Sequence, residues 1–265
     1  MMMKNIINDL TPPFFKKAYK RFFKKTTYSP EWVMLDKGTY MYMDVNTELY
    51  KAFNAGLDLF IYNNLEEELT TENLIVYDLG AHFGYHTLKF AKENKVKKVY
   101  AFEPNPDNRE RLIMNINRNS YLKEKVSIVE KAISSKKGTS VFLAFNDIEQ
   151  GVSSASMLQQ EKLIAKRKDT LARKIVVSID TLDNLVSEGL LLPPDIIKID
   201  IEGAEYDALD GSRELLRKNK PVLMIEVHTI LNMYQLAGLF NEINYQYKLI
   251  NTEKDGRIFI KAYAK

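Results

Sequence analysis

The chain contains no cysteine. Disulfides, thiolate nucleophiles and cysteine metal sites are excluded together. Long apolar runs are also missing. Apolar residues make up 45% of the chain, yet none of their runs approaches the roughly 18 residues expected of a membrane-spanning helix. The first ten residues hold the pair Ile6-Ile7 and nothing long enough for a secretory core. A cytoplasmic location is the resulting expectation. Internal repeats and low-complexity tracts are absent too.

Charge of one sign is scarce except at one end. Residues 1–25 carry seven basic side chains (Lys4, Lys16, Lys17, Lys20, Arg21, Lys24, Lys25) against Asp9, a net +6. The remaining 31 basic and 34 acidic residues give −3 over residues 26–265. A general nucleic-acid footprint is therefore not expected, and no nucleic-acid partner is assigned. Phe14, Phe15, Ala18, Tyr19, Phe22 and Phe23 recur at helical spacing among the basic residues, after Pro12 and Pro13. Residues 12–25 read either as a peripheral membrane contact, making the protein membrane-associated, or as a helix packing on the domain or a second subunit.

What is present is an alternation. Short runs rich in Val, Ile and Leu fall at Leu74–Leu79, Lys98–Phe102, Val126–Glu130, Asp195–Asp200 and Val222–Val227. All but the third are followed by helical periodicity. The pattern predicts an α/β fold, a mostly parallel sheet flanked by helices, with the ligand crevice at the carboxyl ends of the strands. Tyr245–Ile250 and Arg257–Tyr263 read as an antiparallel hairpin at one sheet edge. Residues 1–73 read as an N-terminal extension, the basic segment plus a helix over 47–69. Residues 74–265 read as the ligand-binding domain. Within it, residues 146–173 are an insertion that reads as a lid or as a solvated charged helix over Met157–Arg173.

The first strand runs into Asp78-Leu79-Gly80-Ala81-His82-Phe83-Gly84-Tyr85. Gly80 permits a sharp turn and close backbone approach to a ligand; Gly84 lets the next helix begin near the strand. Free N–H groups at that helix start suit a carboxylate or phosphate. A dinucleotide site wants glycine where His82 stands, so that the backbone can meet a pyrophosphate. S-adenosyl-L-methionine has no pyrophosphate and does not need that glycine. Asp78 or a strand-end carbonyl can meet its ammonium. Helix N–H groups with Thr87 can meet its carboxylate. After the second strand, Glu103 lies 23 residues beyond Gly80, followed by Pro104 and Pro106. An acid there accepts both ribose hydroxyls of an adenosine cofactor. The backbone of Lys131 and Ala132, at the third strand's end, is a candidate adenine contact. The candidate cofactor set is thus Asp78, Gly80, Ala81, His82, Gly84, Tyr85, Thr87, Glu103, Pro104, Lys131, Ala132 and Asp200.

The fourth run continues as Lys198-Ile199-Asp200-Ile201-Glu202-Gly203-Ala204-Glu205, and the fifth ends Glu226-Val227-His228. Alternation puts Lys198, Asp200 and Glu202 on one side, with Glu226 and His228 beside Asp200. Such groups are expensive to bury unpaired, so the cluster implies a polar pocket. Asp200, His228, Glu226 and Lys198 are the candidate catalytic residues. His228 is the first choice of general base, since imidazole titrates near neutrality, and Asp200 and Glu226 can orient it or take the proton themselves. Asp200, Glu226 and His228 could also hold a divalent metal; none is assigned.

These four blocks, Asp78–Tyr85, Ala101–Pro106, Ile179–Asp183 and Lys198–Glu205 joined to Ile225–His228, resemble the FkbM-type methyltransferases over residues 74–228. The resemblance implies a class I methyltransferase, Rossmann-like fold with a seven-stranded sheet. It implies that Gly80, Gly84 and Glu103 contact S-adenosylmethionine and that Asp200 faces the junction of cofactor and acceptor. It also implies O-methylation of a hydroxyl on a sugar, glycan, lipid or natural product, so the partner expected is a small-molecule or glycan acceptor, lipid-linked acceptors included. The family usually has asparagine at the position of His82. Three rivals stand beside this reading: an NAD-dependent oxidoreductase, disfavoured by His82; a non-catalytic binding protein on the same fold, disfavoured by the retained acidic cluster; and a nucleic-acid methyltransferase, disfavoured by the −3 charge of residues 26–265.

Overall fold

The computed structural model describes residues 29–47, 50, 51, 54, 56, 58–145, 157, 158, 172–252 and 258–265. The basic amphipathic segment and most of the 146–173 insertion lie outside these residues, as does any helix over 12–25.

Strands β1 (Pro30–Asp36) and β2 (Thr39–Asp44) form an antiparallel hairpin. Helix α1 (Leu59–Asn63) follows. The main sheet then builds from β3 (Leu74–Leu79), α2 (Tyr85–Lys92), β4 (Val96–Phe102), α3 (Pro106–Arg118) and β5 (Val126–Val129). A second sheet uses β6 (Ala132–Ile133), β7 (Gly138–Phe145), β8 (Met157–Leu158) and β9 (Ala172–Asp180), in the order β6-β9-β7-β8. The chain returns through α4 (Leu182–Ser187), β10 (Ile196–Ile199), α5 (Glu205–Asp210), α6 (Arg213–Asn219), β11 (Val222–Val227) and α7 (Ile230–Glu242) to β12 (Tyr245–Thr252) and β13 (Ile258–Ala264).

The main sheet has seven strands in the order β12-β13-β11-β10-β3-β4-β5, with β13 antiparallel to both neighbours and the β11-to-β5 ladder parallel. This is the class I methyltransferase arrangement the sequence implied. Strand β3 is buried along its whole length, which explains its unbroken apolar run. Tyr77, Leu79, Phe102, Ile197 and Ile225 pack one face against α4 to α7. Val76, Val99, Ala101, Ile196 and Met224 pack the other, with Leu88 and Phe90 of α2 and Leu112 of α3. The chain leaves β3 towards β4 on one side and reaches β10 on the other. The strand order therefore switches between β3 and β10, and the carboxyl ends of these strands are where open α/β sheets bind ligands.

Three local expectations differ. Residues 47–69 are not one helix: Gly56 and Asp58 take left-handed φ of 86° and 61°, which interrupts helical geometry just before α1. The β1–β2 hairpin was not anticipated, although Thr39, Met41 and Met43 alternate inward with Tyr40 and Tyr42. In the 146–173 insertion, Met157–Leu158 and the start of β9 are strand, not helix; β9 pairs with β7 along its length.

Candidate active site

The turn after β3 is tied to its neighbours by backbone. Gly80 and Ala81 N–H groups both donate to Phe102 O of β4, at 3.1 and 3.0 Å. Gly80 has φ +81°, and a Cβ there would stand 1.9 Å from Asp200 O. Only glycine lets the ends of β3 and β10 approach this closely. His82 also adopts a left-handed φ, 52°. Histidine, like asparagine, is among the few side chains that tolerate this region. Its ring stacks on Phe83. Gly84, φ +93°, caps α2, whose first N–H groups have no intrahelical partner and face the crevice end of the sheet.

Glu103 is buried at the end of β4. Its Oε2 accepts the His82 N–H at 2.8 Å and its Oε1 the Asn105 N–H at 2.9 Å, with Asn108 Nδ2 at 3.4 Å. Burial pushes its carboxyl up to about 7, against the pull of these donors. Each oxygen keeps acceptor capacity for a ligand diol. Asn105 caps α3 through the Asp107 N–H, so the acid is locked to the start of a helix. Arg109 reaches back to the Glu103 and Pro104 carbonyls at 3.3 and 2.8 Å.

The acidic cluster closes the other side. Lys198 is buried, 3.4 Å from Asp78 Oδ1 and 3.6 Å from Asp200 Oδ2, and its ammonium donates to Gly80 O at 3.4 Å. Burial pulls its pKa down, but Asp78, Asp200, Glu226 and Asp58 outweigh that and hold it well above the usual lysine value. His228 Nδ1 bonds Glu205 Oε1 at 2.9 Å; its Nε2 lies 3.5 Å from Glu226, 3.6 Å from Asp200 and 3.8 Å from Glu202. Burial lowers its pKa, and these carboxylates more than reverse that, raising it to about 10. The surrounding carboxylates thus favour the imidazolium form. The intrinsic value of an imidazole points to a near-neutral base, whereas Glu205, Asp200 and Glu202 around this ring favour its protonated form. Of those acids Asp200 is the most open, 32% exposed against 18% for Glu202 and 7% for Glu226. Glu202 and Gly203 both have left-handed φ, 54° and 102°, a strained turn of the kind found at functional sites. Asp200, Glu226 and His228 offer ligand atoms within 4.8 Å of one another, a donor set suited to a divalent cation.

The structure brings together Asp78, Gly80, His82, Glu103, Lys198, Asp200, Glu226 and His228. Asp78 and three other expected residues are used differently from expectation. Thr87 Oγ1 donates to Asp78 Oδ2 at 2.6 Å and is fully buried, so its hydroxyl is spent on that carboxylate. Asp78 is itself buried beneath Thr87 and Lys198, which leaves backbone carbonyls as the crevice-facing acceptors. The Tyr85 ring packs with Val33, Met41 and Met43 of the hairpin. The Lys131 ammonium pairs with buried Asp180 at 2.6 Å, joining the two sheets, so only backbone at Lys131 and Ala132 can meet adenine. Sequence reasoning missed Glu205 as the partner of His228. It also missed Asn232, whose amide donates to Gly203 O at 2.9 Å and to Glu205 Oε2. The signal available was Thr229, an N-cap residue just after His228 that starts α7 and brings Asn232 back over the turn.

The methyltransferase FkbM domain matches residues 78–247, a span holding every residue of this site. Among curated relatives, the hexuronic acid methyltransferase AglP of Haloferax volcanii is 25% identical over 71% of this chain and 70% of its own. The 2-O-methyltransferase NoeI of Sinorhizobium fredii is 25% identical over 61% of this chain and 67% of its own. A crystal structure of methyltransferase FkbM from Methylobacillus flagellatus superposes with a TM-score of 0.53 at 18% identity; the match covers 73% of this chain and 44% of that one, and it supports the fold.

Proposed function

Because the chain belongs to the FkbM methyltransferase family, we propose that it transfers the methyl group of S-adenosylmethionine to a hydroxyl of a sugar, glycan or related natural-product acceptor. The observation that carries this reading is one crevice at the strand-order switch, with Glu103 on the β4 side and Asp200 beside His228 on the β10–β11 side. One named relative is a hexuronic acid methyltransferase, which supports a sugar acceptor, and the other is a 2-O-methyltransferase, which supports transfer to oxygen. A small-molecule or glycan acceptor is the partner, lipid-linked acceptors included, in a cytoplasmic setting.

The residues fit the cofactor. Glu103 would hold the ribose hydroxyls, the glycine turn would let the backbone lie against the ligand, and the first amides of α2 would hold its carboxylate. Backbone at Lys131 and Ala132 would line adenine. When bound, S-adenosylmethionine supplies an electrophilic methyl group on a sulfonium. The chain's own work is then positioning, which contributes up to ~7–11 kcal/mol when reacting atoms are held in line. Asp200, the most open carboxylate, accepts the acceptor's hydroxyl proton. The His228 cation and Lys198 keep Asp200 oriented and its negative charge balanced. Glu205 fixes His228 from the Nδ1 side, and Glu226 lies beside Asp200 at Nε2.

Calorimetry with S-adenosylhomocysteine and with NAD tests the cofactor; binding of NAD alone would support the oxidoreductase reading instead. Labelled methyl transfer into glycan, lipid and small-molecule fractions tests the acceptor. Asp200→Asn is expected to lower turnover by about 10²–10⁴-fold while S-adenosylhomocysteine still binds. Undiminished turnover would remove Asp200 from the chemistry.

A further inference from the structure

Helix α2 carries a buried chain of side chains that the proposed chemistry does not use. Tyr62 Oη and His86 Nδ1 are 2.8 Å apart, and His86 Nε2 lies 3.2 Å from Asp58 Oδ2. His86 and Asp58 side chains are 11% and 14% exposed. With Nε2–H given to the Asp58 carboxylate, Nδ1 is bare and accepts the Tyr62 hydroxyl proton. In this tautomer the chain runs from Tyr62 to His86 to Asp58. Asp58 holds its place in a left-handed conformation, φ 61° and ψ 12°, unusual for a residue with a side chain. The Lys89 ammonium sits 4.3 Å from the centre of the Tyr62 ring.

His86 is the second residue of α2, two residues beyond Gly84. Its backbone N–H is among the free donors at the helix start. The same turn is gripped from the opposite side. Buried Asn115 of α3 accepts the Tyr42 N–H of β2 and donates to Phe83 O, both at 2.8 Å. Tyr85 and Phe83 pack against Val33, Met41 and Met43 of the hairpin. Residues from 30 to 62 therefore reach the glycine turn through two independent sets of contacts.

We propose that His86 is a positioning residue of the cofactor site, and that Asp58 and Tyr62 hold it so that the first turn of α2 meets the methionine end of S-adenosylmethionine. This rests on the methyltransferase reading. The segment before β3 then belongs to the binding site as a clamp on its turn.

Tyr62→Phe removes the hydroxyl and keeps the ring. Asp58→Asn removes the charge and keeps a side chain that tolerates the left-handed region. Each is expected to weaken S-adenosylhomocysteine binding about tenfold and to raise KM for S-adenosylmethionine, with kcat at saturation unchanged. The double variant is expected to be no weaker than the worse single one, because the chain acts as a unit. In the free protein, amide hydrogen exchange over residues 80–88 is expected to quicken in both. A purely structural role would lower Tm and leave affinity and KM in place. Wild-type binding with both variants within twofold of it overturns the proposal alone. Failure of the wild type to bind S-adenosylhomocysteine overturns the methyltransferase reading and the proposal with it.

Discussion

Glu103 is held between two demands. A free glutamate titrates near 4.5, and burial moves Glu103 up to about 7. A raised carboxyl pKa means the folded chain binds the proton more tightly than the unfolded one. The stabilising effect is complete below about 4.5 and is lost as pH rises towards 7. Ligand binding runs the other way, since ribose hydroxyls need an ionised acceptor. S-adenosylhomocysteine affinity is expected to rise through pH 7 in the wild type. Glu103→Gln should bind at least about tenfold more weakly at pH 8 and show a flat profile by calorimetry. The spacing of Glu103 from Gly80 was legible in the sequence because one strand–helix–strand unit fixes it. The charge state of His228 was not. It depends on Glu205, Glu202 and Asp200 converging from a separate turn, and intrinsic pKa gives no hint of that. The same cluster bears on metal: Lys198 and His228 already face its carboxylates. Turnover is expected to survive EDTA, and loss restored by Mg²⁺ or Mn²⁺ would assign Asp200, Glu226 and His228 as ligands.

At the level of elements, the two glycines of the turn are unequal. A Cβ on Gly80 meets a backbone carbonyl at 1.9 Å, whereas one on Gly84 meets the end of the Leu112 side chain at 2.5 Å. Leu112 can change rotamer; β10 cannot move without its neighbours. Gly84→Ala is expected to lower stability by roughly 1–2 kcal/mol, the left-handed penalty. Gly80→Ala should fall further, by more than ~3 kcal/mol, because a strand end must shift as well. Urea midpoints measure both. The parallel strands were legible as unbroken apolar runs, since burial on two faces leaves no other pattern. The hairpin and the β7–β9 pair were harder. Each has one sheltered face and one open one, as Val176 shows by standing 73% exposed in β9. Their alternating polar residues resemble a solvated loop when read without a partner strand.

Across the whole molecule, charge is divided between +6 on residues 1–25 and −3 on the rest. Among the described residues no helix is long and apolar enough to cross a membrane. If the basic segment reads an anionic surface, full-length protein should co-float with vesicles containing phosphatidylserine at low salt. Binding should fall steeply with added salt and vanish when residues 1–25 are deleted. Flotation that survives the deletion would place the contact elsewhere. The approach of Gly80 to Asp200 O has a consequence for anyone who would redesign this protein. On the proposed reading, the wall that would hold the methyl donor, at Gly80, and the wall that would receive the acceptor, at Asp200, are two backbone segments pressed directly together. Reshaping the loop at 200–203 for a new acceptor should shift donor affinity in the same stroke. Selectivity on one side could then be altered without loss on the other only by changes placed outside that shared seam.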